Sequence, residues 1–148
     1  NSFLKQLIAR FKYRGDAELA KIFAAPLQNL AKQYPKNALI VPIPISQKRL
    51  YERGFNQAEI LASFLGGAVN ALQHIGSEDK QSKKSRKQRL DIFKKSSFVL
   101  CKNVNKQIEN HDIIIVDDIY TTGATVRKAA KILIENGATS VASITIAR

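Results

Sequence analysis

The sequence predicts an α/β protein with a largely parallel, twisted sheet flanked by helices. Three segments carry that expectation. Ile113, Ile114, Ile115 and Val116 form a β-branched run without alternation, as a central parallel strand covered on both faces requires. Val126, Ala129, Ala130, Ile132 and Leu133 then recur at helical spacing, and Gly137 closes the helix. Val141 to Ala147 supplies the next strand, and strand, helix and strand in that order make a right-handed crossover.

The remaining elements follow from the N-terminus. Phe3, Leu4, Leu7, Ile8 and Phe11 recur at helical spacing behind Ser2, an N-capping residue, so the first dozen residues read as an amphipathic helix ended by Gly15. Asp16 caps a second helical stretch carrying Leu19, Ile22, Phe23, Leu27 and Leu30, which Pro26 kinks or splits. Ala38 to Val41 is a short buried strand that leads into Pro42, Ile43 and Pro44, a stiff turn. Phe55, Ala58, Leu61, Ala62 and Leu65 mark a further helix with an exit at Gly66 and Gly67. Ala68 to Ile75 and Ser97 to Leu100 are read as two more strands.

Composition bounds the function. At 148 residues the chain suits one domain, residues 1–148, which needs neither disulfide nor metal to fold. A single cysteine, Cys101, excludes a disulfide-stapled secreted module and points to a reducing, cytoplasmic compartment. No apolar run approaches the length of about 20 residues needed to cross a membrane, so no membrane insertion is expected. The chain holds no methionine, even at position 1, which leads us to expect a preceding segment.

The net charge of +12 is unevenly spread. Between Lys80 and Lys95 lie eight basic residues and one acid, Asp91. We read residues of about 76–96 as a mobile basic loop suited to polyphosphate or nucleic acid, the alternative being a solvated loop without a ligand. Phe93 is its one aromatic residue, so it offers little for stacking bases.

Chemistry concentrates where the central strand ends. Ile115 to Thr125 reads IVDDIYTTGAT: a buried strand delivers Asp117 and Asp118, then Thr121, Thr122, Gly123, Ala124 and Thr125 lead into the next helix. Open α/β sheets bind ligands at the carboxyl ends of their strands. Gly123 permits a tight turn close to a phosphate, and the first amides of the helix favour an anion. The two carboxylates would repel a phosphate but accept hydrogen bonds from sugar hydroxyls. No Gly-Lys-Ser/Thr is present and the acids precede the loop, so this is not a Walker motif. The plainer alternative is that Asp118 and the threonines only cap a helix.

This segment resembles the phosphoribosyl pyrophosphate (PRPP) motif of the type I phosphoribosyltransferases. The resemblance implies that Asp117 and Asp118 form the catalytic acidic pair that holds the ribose hydroxyls. It implies likewise that Thr121 to Thr125 hold the 5-phosphate, and that Mg²⁺ enters with PRPP while the protein keeps no resident metal site. A second stretch, Val41-Pro42-Ile43-Pro44 followed by Arg49 and Glu52-Arg53-Gly54-Phe55-Asn56-Gln57-Ala58, is similar to the signature of the ComF family of competence proteins, a branch of that fold. Gln81, Ser85, Arg86, Arg89 and Phe98 also fall at that branch's spacing, whereas Lys84 and Ile92 depart from its usual leucine and asparagine.

The ComF resemblance implies a late competence protein of DNA uptake in natural transformation. Such a protein would bind PRPP with Mg²⁺, with transfer of the phosphoribosyl group to an unknown acceptor left open. It also implies a zinc-ribbon segment ahead of residue 1. The pyrophosphate would face Ser46, Arg49, Arg53, Arg86 and Arg89, while Lys83, Lys84, Arg86, Lys87 and Arg89 would grip single-stranded DNA. The partners expected are PRPP, single-stranded DNA and a competence helicase or another uptake protein. An alternative function is a single-stranded-DNA-binding uptake module whose PRPP site is regulatory and not catalytic. Arg53 has a competing role as a structural partner of Glu52 or Glu59. No acceptor site is visible, and His74 and His111, with no third group near either in sequence, are read as structural.

Overall fold

Strand β4 (Asp112–Ile119) is the axis of the molecule, flanked in parallel by β1 (Leu39–Pro42) and β5 (Ser140–Ala147). The computed structural model describes residues 2–13, 17–75 and 97–148. Registers are set by Val41 opposite Ile115 on one side and by Ile115 opposite Ser143 on the other. Ile113 and Ile115 enter one buried cluster with Val41, Phe98 and Leu133, whereas Ile114 and Val116 enter a second with Phe11, Leu27, Leu61 and Ile144. One strand serves both faces, which is why its apolar run shows no alternation.

The expected elements are present with changed edges. Helix α1 (Ser2–Tyr13) forms as predicted, with Ile8 and Phe11 buried and Phe3 68% exposed, so its inward stripe is narrower than the apolar pattern suggests. The second stretch is split: a 3-10 helix over Ala17–Phe23 gives way to α2 (Ala24–Ala31), whose first turn holds Pro26. Proline is tolerated there because that turn's amide has no helical partner to lose. Gly15 and Asp16, read as stop and cap, lie outside the described residues.

Helix α3 (Gln47–Arg53) was not anticipated, because none of its residues is buried and an exposed helix leaves no apolar period to read. Ser46 caps it and Gly54 ends it in the left-handed conformation. Helix α4 (Gln57–Ser63) begins two residues after Phe55, since the Asn56 side chain takes the N-cap and accepts from Ala58 N–H. Strands β2 (Leu72–His74) and β3 (Phe98–Leu100) are shorter than expected and form a separate antiparallel ribbon beside the parallel sheet. A short helix, α5 (Asn105–Ile108), precedes β4 and was also missed, while α6 (Ala124–Glu135) completes the crossover to β5 as predicted. Among the described residues no helix is long and apolar enough to cross a membrane.

Candidate functional site

A cavity of about 370 Å³ opens at the carboxyl ends of β1 and β4. Its position follows from three local devices. Asn56 donates from Nδ2 to Ile43 O at 2.9 Å, and Ile43 N–H donates to Val116 O at 2.9 Å, so the Pro44 turn, the start of α4 and the end of β4 are held together. Phe11 and Phe55 rings meet at 5.8 Å between centroids, which brings α1 to the same rim. Pairing of His74 with Phe98 sets the ribbon against the remaining wall.

The acidic pair lies inside β4 rather than beyond it, with Asp117 opposite Thr145. Asp118 N–H donates to Asp117 Oδ1 and Ile119 N–H to Asp118 Oδ1, both at 2.8 Å. Asp118 Oδ2 meets Lys12 Nζ at 2.9 Å. Burial, reinforced by the neighbouring Asp118 charge, pushes the Asp117 carboxyl up to about 7. At neutral pH this site therefore holds a carboxyl poised between its acid and its anion.

The loop that follows turns at Gly123, whose φ of 74° favours glycine. A Cβ there would also overlap the Tyr120 hydroxyl and ring. Arg148 sits 5.8 Å from the centroid of that ring, so Tyr120 is a packing residue under the loop. Thr121, Ala124 and Thr125 line the cavity with both aspartates. Thr122 instead stabilises the turn: its Oγ1 accepts from Ala124 N–H at 3.3 Å and its carbonyl from Arg127 Nη2 at 2.8 Å.

Across the cavity stand Ser46, Arg49 and Arg53, all three on its wall. Ser46 Oγ accepts from Arg49 N–H at 3.3 Å, so its hydroxyl caps α3 while facing the site. Arg53 Nη1 donates to Gln57 Oε1 at 3.2 Å, a contact not weighed from the sequence. Arg86 and Arg89, and with them Lys83, Lys84 and Lys87, lie outside the described residues.

Sequence reasoning missed Lys12, Asn56, Gln57 and Lys128, and it set His74 aside, yet all five line the cavity, and Asn56 also ties its turn together. Asn56 and Gln57 were visible as part of the Glu-Arg-Gly-Phe-Asn-Gln stretch, with no role attached. Nothing in the sequence signals that Lys12, more than a hundred positions away, meets Asp118. His111 lies elsewhere, its Nδ1 2.9 Å from Glu109 O.

The phosphoribosyl transferase domain model matches residues 50–148, which include the acidic pair and the loop. The chain belongs to that family. Within it this is a ComF-type domain: competence protein ComFC of Bacillus subtilis (strain 168) is 41% identical over 100% of this chain and 61% of its own length. Competence protein ComFC of Streptococcus pneumoniae (strain ATCC BAA-255 / R6) is 36% identical over 100% and 64%. The chain thus spans less than two thirds of these relatives. The allosteric regulatory enzyme of purine biosynthesis superposes with a TM-score of 0.55 over 86% of this chain and 26% of that one, at 17% identity, a likeness of fold.

Proposed function

We propose that this ComF-type domain binds PRPP together with Mg²⁺ and serves DNA uptake. One observation supports this above the rest: the aspartate pair, the Gly123 loop and the Arg49 and Arg53 side chains face a single cavity. PRPP carries a diol between two phosphate ends. Asp117 and Asp118 suit the diol as acceptors, and Thr121, Ala124 and Thr125 at the N-terminus of the twelve-residue α6 suit the 5-phosphate. Arg49 and Arg53 suit the pyrophosphate.

The donor set fits Mg²⁺ as well, since that ion is usually held by one or two carboxylates plus substrate phosphates. When bound it would neutralise charge on the departing pyrophosphate. In a transfer, an acceptor nucleophile would form a bond to C1 as the C1 to pyrophosphate oxygen bond breaks, with pyrophosphate leaving. This chain's own part is to orient the ribose and hold the anion ends apart. A regulatory, non-catalytic site is the second reading, favoured by a sequence whose first two helices carry no polar constellation suited to a purine or pyrimidine acceptor.

The test is calorimetric titration of PRPP with Mg²⁺. Binding at micromolar to low millimolar dissociation constants, lost in Asp118→Ala, is expected. Equal binding by wild type and Asp118→Ala would overturn the assignment of the site. Release of pyrophosphate on addition of an acceptor separates transferase from regulatory site. The net charge of +12 supports DNA as a further ligand. Replacing Arg86 and Arg89 with Gln should weaken single-stranded DNA and lower its salt dependence, whereas salt-independent affinity in the wild type would remove DNA from the proposal.

A further inference from the structure

Among the described residues, two buried side-chain polar atoms have no hydrogen-bond partner in the protein: Gln57 Nε2 and His74 Nδ1. Both residues line the one cavity discussed above, although they come from different elements, α4 and β2. Buried polar groups are nearly always paired, so two exceptions on one wall mark where a ligand completes the site.

The orientation of Gln57 is set within the protein. Its side chain is 2% exposed, and Oε1 accepts from Arg53 Nη1, which leaves the amide NH₂ as the free end. An NH₂ group without an acceptor calls for a ligand oxygen. The His74 ring is fixed edge-on against Phe98, with 5.6 Å between centroids and an 84° interplanar angle. Burial and the nearby Arg49 guanidinium lower its pKa, so it faces the cavity as a neutral imidazole whose Nδ1 can carry the proton. With Arg49 and Arg53 beside them, the oxygens best matched to these two donors are anionic.

Resting on the PRPP reading, we propose that Gln57 and His74 contact the diphosphate end of the ligand, Gln57 donating from Nε2 and His74 from an Nδ1–H tautomer. They are neutral donors that add direction to the charge supplied by the arginines. The role would also explain why Gln57 follows Asn56 in the Glu-Arg-Gly-Phe-Asn-Gln stretch: Asn56 closes the turn, and Gln57 takes the next position facing inward.

The experiment compares wild type, Gln57→Met, His74→Phe and His74→Asn in calorimetric titrations with PRPP, pyrophosphate and ribose 5-phosphate, each with Mg²⁺. Gln57→Met and His74→Phe should weaken PRPP and pyrophosphate by roughly 5- to 100-fold and leave ribose 5-phosphate unchanged. His74→Asn, which can place an N–H near the Nδ1 position, should retain most of the affinity. Thermal midpoints should stay within about 3 °C of wild type, because each change to an apolar side chain removes an unpartnered buried atom, which in Gln57→Met offsets the loss of the Oε1 contact to Arg53.

Wild-type affinity for pyrophosphate in both apolar variants would overturn the inference while leaving the PRPP site standing. Equal weakening of ribose 5-phosphate would overturn it too, since the two residues would then not act on the diphosphate. If wild type binds pyrophosphate but not PRPP, the PRPP reading falls, and the variants still decide whether Gln57 and His74 hold a diphosphate. If wild type binds none of the three, both fall.

Discussion

Lys12 Nζ lies 2.9 Å from Asp118 Oδ2, while Asp118 Oδ1 accepts the Ile119 N–H at 2.8 Å. Both oxygens of one site carboxylate are therefore engaged from within the protein, one by a helix far away in sequence. The lysine and aspartate side chains are 20% and 14% exposed, so the pair is shielded more than a surface ion pair. Phe11, fully buried one residue earlier, holds the lysine in reach.

Removing that cation should be felt twice. Lys12→Met is expected to destabilise the fold by about 1–2 kcal/mol, read as a fall in Tm of roughly 2–8 °C. It should also raise the Asp117 pKa further, because Lys12 is one of the charges that lower it. An unchanged Tm with an unchanged carboxyl titration, followed by NMR, would show that the pair contributes neither stability nor field.

Asp117 makes a pH prediction with a definite sign. Its carboxyl titrates near 3.8 when unperturbed and near 7 in the fold. Between these values the folded protein keeps a proton that the unfolded chain has lost, so this group's contribution is fully present below 3.8 and disappears as pH rises through 7. Asp117→Asn should flatten that slope and, at pH 8, exceed wild type in stability, by on the order of a few kcal/mol. Urea denaturation at pH 5 and pH 8 measures it, and parallel curves for the two proteins would contradict the buried carboxyl.

His74 should titrate below the ordinary 6.5 of a histidine, with burial the larger cause and Arg49 the smaller. Arg49→Gln should accordingly move its midpoint upward without restoring the ordinary value. NMR of the imidazole protons reads both midpoints. A midpoint at or above 6.5 in the wild type would show that neither burial nor Arg49 acts on the ring.

What the sequence made legible follows from where each signal resides. Ile113 to Val116, Asp117, Asp118 and Gly123 are consecutive, so one segment carries strand, acids and turn, and a local pattern suffices to find them. Ser46, Arg49 and Arg53 were found because they lie within a few turns of the Pro42 and Pro44 signal. Helix α3 escaped because Tyr51, 92% exposed, and Leu50, 37% exposed, give no buried face. Lys12 and His74 escaped for another reason: each reaches the site through a long-range contact, Phe11 with Phe55 in one case and the His74 to Phe98 ribbon in the other. Such pairings have no local spacing to read.

Gly123 ties the loop to the strand through Tyr120, and its replacement should fail in two separable ways. Gly123→Ala must hold an alanine at φ 74°, which costs about 1 kcal/mol, and must also fit a methyl group where the Tyr120 ring lies. The ring cannot simply withdraw, because Tyr120 N–H is bonded to Ala147 O at 2.9 Å and Arg148 lies over the ring. A Tm loss of several degrees is therefore expected and, on the proposed PRPP reading, a collapse of PRPP affinity. Tyr120→Ala in the same chain removes the overlap but not the backbone strain, so the double variant should regain part of the Tm lost by Gly123→Ala. Strictly additive losses in this double-mutant cycle would mean that the two residues do not meet, and that the turn at Gly123 owes its glycine to conformation alone.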